Sequence, residues 1–75
     1  MPHIIVKLWP GKSEQQKARF AEEIVKQGME AFGIGEEYFS VDMQEVSPDE
    51  WPDKVYKPEI IGRQDKLYKK PGYKM

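Results

Sequence analysis

No cysteine occurs among the 75 residues of this chain, and His3 is its only histidine. Disulfides are excluded, and a structural zinc site has too few donors. One histidine and no thiol also assemble no Ser-His-Asp, Cys-His or metal-ligand set. No glycine-rich phosphate loop is present, because "GIGEE" lacks both the lysine and the preceding strand that such a loop requires. No apolar run approaches the roughly 18 residues of a membrane span, and no signal-peptide pattern leads the chain. These absences suggest a soluble, cytoplasmic protein with no structural metal and no membrane span.

Charge excludes less, but it is unevenly placed. From Gly28 to Asp53 every formal charge is acidic, whereas Lys54, Lys57, Arg63, Lys66, Lys69, Lys70 and Lys74 then face only Glu59 and Asp65. The basic tail is short, carries no RNA-binding aromatic motif and belongs to a chain of net charge −1. Nucleic acid is therefore not the expected partner. A chain this short forms one domain, residues 1–75, with a marginal core of its own. Without disulfide or metal, self-association is the remaining source of stability.

What is present reads as a strand–helix–strand unit. His3 to Trp9 alternates, with Ile4, Val6 and Leu8 on one face and His3, Ile5, Lys7 and Trp9 on the other. Pro10-Gly11 breaks the strand. Ser13 and Gln16 then form a capping box, and Ala21, Ile24, Val25, Gly28, Met29 and Phe32 follow at helical spacing as one buried stripe. Gly33 is the C-cap. A second strand is predicted from Tyr38 to Val46, apolar on the Phe39, Val41 and Met43 face only. A connection of this length makes the strands parallel, with the helix over the apolar face of the second strand. "SPDEW" repeats the helix-start grammar, and Pro52 limits that helix to a turn or two. Pro58 opens a third helix, in which Ile60, Ile61, Gln64, Leu67 and Tyr68 recur at helical spacing until "KKPGY" stops it.

Among these features Pro2 is the unusual one. Proline is tolerated at the first residue of a strand, so it needs no function there. If Met1 is removed, however, its ring nitrogen becomes a secondary amine. A free α-amine titrates near ~8 and burial lowers that value, which brings it close to the neutral range where a general base works best.

The order "MPHI", strand, "SEQQK" helix, strand and "EVSPDEW" resembles the 4-oxalocrotonate tautomerase family. The closing "KKPGYKM" is similar to a C-terminally extended bacterial branch of it. The resemblance implies an α+β fold, a βαβ unit completed into a four-stranded sheet by a second subunit and backed by helices, with short C-terminal helices added. It implies a homo-oligomer, dimeric in the extended branch and hexameric in typical members. It also implies a cofactor-free isomerase that interconverts keto and enol acids, with Pro2 as the proton shuttle after Met1 removal.

The family's first arginine falls at Lys12, which keeps the charge without the planar two-point grip. Lys12 beside the amides of the helix N-terminus would favour an anion; the same residue also reads as a solvated loop lysine. The second arginine falls at Ser40, where the charge is missing, which favours a monocarboxylate such as an aryl pyruvate over a dicarboxylate. The pocket aromatic falls at Trp51, which reads equally as a core or interface anchor. Two other functions fit the same residues. One is hydration of an unsaturated acid with protonated Pro2 as the acid, and the other is a non-catalytic self-assembling module if Met1 is retained.

Overall fold

The computed structural model describes residues 1–75. A strand β1 spans His3–Leu8, a helix α1 spans Glu14–Phe32, a single 3-10 turn covers Glu36–Tyr38, and a strand β2 spans Ser40–Glu45. β1 and β2 are parallel, with Ile4 opposite Val41 and Val6 opposite Met43. Each strand has only the other as a neighbour, so each keeps one unpaired edge. Both strands are shorter than their apolar patterns: Trp9 lies beyond β1, and Tyr38 belongs to the 3-10 turn rather than to β2.

Local chemistry accounts for α1. Ser13 Oγ accepts the Gln16 N–H at 3.0 Å while the Gln16 side chain accepts the Ser13 N–H at 2.9 Å, closing the predicted capping box. At the other end Gly33 takes φ 68°, a conformation that costs glycine nothing, and its N–H donates to Met29 O at 2.9 Å. A glycine inside the helix is harder to explain by propensity, since it costs about 1 kcal/mol relative to alanine. Gly28 is there because a Cβ at that position would run into the ring of Phe39. Its absence lets the ring lie against the helix backbone.

The helix covers the Val41 and Met43 face, as the one-sided pattern of β2 predicts, and Lys17 pins it there through ion pairs with Glu14 and Glu45. Coverage is nevertheless incomplete. Ala21, Ile24, Val25, Gly28 and Met29 are half-buried, and Phe32 is 65% exposed while stacking on Phe39 at 6.4 Å. The expected buried stripe is thus half open within one chain.

The C-terminal third departs from the predicted pair of helices. Ser47 does cap its start, accepting the Glu50 N–H at 3.2 Å. Winding then runs through Trp51 and a π-helical segment, Pro52–Ile60, into a 3-10 segment, Ile61–Lys66. Trp51 is right-handed helical despite the proline after it, and Pro58 lies inside the segment instead of opening a new helix. Pro52 falls in the first turn, where a missing N–H costs little. Pro58, which in an α-helix would press on the carbonyl four residues earlier, is accommodated by the wider π winding. The segment packs on the Ile5 and Lys7 side of β1, tied by a Lys7–Glu59 ion pair, and holds the two buried residues, Val55 and Tyr56. The predicted stripe divides: Ile60 and Leu67 are half-buried, whereas Ile61 and Tyr68 face water.

Candidate active site

Pro2 heads β1 in a half-buried position, and its carbonyl accepts the Ser40 N–H at 3.3 Å. Parallel register therefore sets Ser40 beside the N-terminal proline. Met1, by contrast, is 95% exposed. On the sheet face away from α1, Ser40 Oγ lies 2.6 Å from His3 Nδ1. This polar pair occupies the end of β2 where the sequence comparison looks for a cation. Sequence reasoning passed over His3, although the i, i+1 step from Pro2 along a strand marks it as the proline's neighbour on the opposite face.

Lys12 and Trp51 lie elsewhere. Six strand steps of about 3.3 Å separate Pro2 from Leu8, so the far end of β1 is about 20 Å from the proline in the same chain. Lys12 borders a hollow there with Leu8, Gln16, Lys17 and Phe20. Lys17 has its charge committed to Glu14 and Glu45, and the hydrogen bonds it donates to those carboxylates hold its ammonium above the ordinary lysine value. Lys12 is in no ion pair, and it is the uncommitted cation of this hollow. The capping box uses the Ser13 and Gln16 amides, which leaves those of Glu14 and Gln15 open at the helix start.

Trp51 belongs to a different cavity. It lines a space of about 520 Å³ with Trp9, Tyr73, Lys74 and Met75. Its indole N–H donates to the Tyr73 hydroxyl at 3.1 Å, and the Tyr73 ring packs on buried Tyr56 with centroids 5.7 Å apart. Leu8 points to the α1 side and Trp9 to the other, so the Lys12 hollow and the Trp51 cavity flank the end of β1 from opposite faces. One chain thus brings Ser40 to Pro2 and leaves Lys12 and Trp51 at the remote end of the strand. Trp9, Tyr73 and Lys74 escaped sequence reasoning because the tail's return onto Trp51 leaves no periodic signal.

The chain and its parallel βαβ unit are similar to known proteins. Residues 2–52 match the Tautomerase family, described as tautomerase enzyme. This chain belongs to that family; it is a tautomerase, and so an isomerase, of the 4-oxalocrotonate tautomerase type. Among its relatives, a tautomerase PptA of Pectobacterium carotovorum is 43% identical over 97% of each chain. The tautomerase PptA of an Escherichia coli O127:H6 strain is 34% identical over 100% of each. The crystal structure of YwhB, a homologue of 4-oxalocrotonate tautomerase, superposes with a TM-score of 0.61 at 29% identity, covering 64% of this chain and 79% of the other.

Proposed function

We propose that this tautomerase interconverts the enol and keto forms of a small 2-keto monocarboxylic acid, an aryl pyruvate above others, with the Pro2 amine as proton shuttle once Met1 is removed. The carrying observation is the contrast at the N-terminus: Pro2 is half-buried and tied to Ser40, whereas Met1 stands in solvent where its peptide bond is accessible. The free amine accepts the proton of the 2-hydroxyl, leaving an enolate whose C2–O bond becomes C2=O as C3 is protonated. The C2=C3 electron pair then takes that proton from the ammonium at C3, and the amine is regenerated. Lys12 and the open amides of the α1 N-terminus stabilise the negative charge that develops on the enolate. Trp51 supplies the aromatic wall, and the Ser40 and His3 pair offers hydrogen bonds beside the proline.

Because Pro2 and Lys12 are at opposite ends of β1, the site is completed by a second subunit. Residues 1–75 act as one domain, and two such chains pair into a dimer; a hexamer made of three such dimers is the alternative assembly. β1 is apolar on both faces, the pattern of an interior strand, while β2 is apolar on one. Antiparallel pairing of two β1 edges about a two-fold axis carries Pro2 of one protomer to the Trp9 end of its partner.

Processed, untagged protein should ketonise the enol of phenylpyruvate faster than buffer does. Protein that retains Met1, whose proline nitrogen is an amide, should show none of this proline-dependent rate, and Pro2→Ala should lose about 10²–10⁴-fold. Equal rates with and without Met1 would reduce Pro2 to the first residue of a strand.

A further inference from the structure

The aromatic cavity holds a feature that Pro2 chemistry does not explain. Its walls are Trp9, Trp51, Tyr73 and Met75, and its one charged side chain is that of Lys74. No acidic side chain lines it. Four of the chain's lysines, Lys7, Lys17, Lys54 and Lys57, spend their charge on carboxylates; Lys74 is in no ion pair and no hydrogen bond. The Tyr73 hydroxyl accepts from the Trp51 indole and donates to nothing, so its proton is free for a ligand. A volume of about 520 Å³ lies within the range of small-molecule sites. The tail that forms this wall is held in place, since Tyr73 is fixed by both Trp51 and buried Tyr56.

We propose that this cavity takes the ring of an aryl carboxylate between the two tryptophans, and that Lys74, not Lys12, is the cation that binds its carboxylate. The flat apolar walls suit an arene, and the uncommitted ammonium with the free Tyr73 proton suits a single carboxylate. Substrate class is then set by the last residues of the chain, which lie outside the 2–52 span shared across the family. The assignment rests on the tautomerase site proposed above for its place in catalysis, and its test uses binding alone.

Both tryptophans of the chain, Trp9 and Trp51, line the cavity, so intrinsic fluorescence reports its occupancy directly. The full-length protein should be titrated with phenylacetate and with phenylacetamide, a neutral ligand of nearly the same shape. Phenylacetate should alter the emission at concentrations about tenfold or more below those phenylacetamide requires. Lys74→Ala should bring phenylacetate to the level of the amide without moving the amide, Lys74→Arg should keep the preference, and so should Lys12→Ala. The proposal falls if Lys74→Ala keeps the preference or if Lys12→Ala abolishes it. It falls equally if neither ligand alters the emission of the wild-type protein, as when a second copy fills the cavity. Since no turnover is measured, a failure here leaves the Pro2 mechanism standing, and a failure of Pro2 leaves this result intact.

Discussion

α1 has a closed capping box, a left-handed glycine at its end and unbroken α winding, yet none of its residues is buried. Pro52–Ile60 has no side-chain cap and a proline inside, yet it holds both buried residues, Val55 at 5% and Tyr56 at 7% exposure. Regular local structure and tight packing have separated into different parts of one small chain. The βαβ half is formed by rules that act within a few residues, and it presents half-covered apolar surface. The C-terminal third takes its shape from what it packs against: Ile5 and Lys7 below it, and Tyr73 returning across Tyr56.

The contrast breaks most sharply at Tyr56. Tyr56→Ala removes the larger buried side chain and the ring under Tyr73, and should cost about 3–5 kcal/mol in chemical denaturation. A loss below about 1 kcal/mol would mean that the irregular third is not the packed part. Ser13→Ala tests the other half. It opens the capping box and should cost about 1 kcal/mol, with the loss read from the same denaturation midpoint. A Ser13 effect as large as that of Tyr56 would erase the distinction between local and packed halves.

Glu50 sharpens the comparison at its smallest scale. Hydrogen bonding and charge from Lys54, then the Ser47 hydroxyl, hold its carboxyl below the ordinary value of 4.5. A lowered folded-state value stabilises the fold at pH above the unfolded value, and that stabilisation is lost as pH falls through the folded one. Glu50→Gln should lower Tm slightly at neutral pH. The gap between the two melting curves should begin to narrow near pH 4.5 and close in stronger acid. Because both partners are exposed, added salt should narrow it as well.

The same division decides what could be read in advance. Ser13, Gln16 and Gly33 act on their own backbone, so the bounds of α1 were legible to the residue. Alternation marked both strands, and the length of the helical connection between them marked their parallel pairing. Rules for proline failed in the C-terminal third because they presume α geometry, and the π-helical winding around Pro58 escapes them. Pro2 was legible as a candidate because it is marked by its position behind Met1. Tyr73 and Lys74 were not, since a tail folding back over 22 residues to reach Trp51 is a long-range event.

The two free edges of the sheet carry different residues, and this has a consequence for growth. β1 carries Ile4, Ile5, Val6 and Leu8 with Lys7, whereas β2 carries Asp42, Gln44 and Glu45 with Val41 and Met43 on its α1 face. In the proposed dimer, two-fold pairing through β1 would use up that edge of both protomers at once and turn the two β2 edges outward. Carboxylates along an outer strand discourage any further strand from docking. In that dimer addition would stop at four strands: the protein would carry its own chain terminator, and a sheet that could otherwise extend would close after a single step.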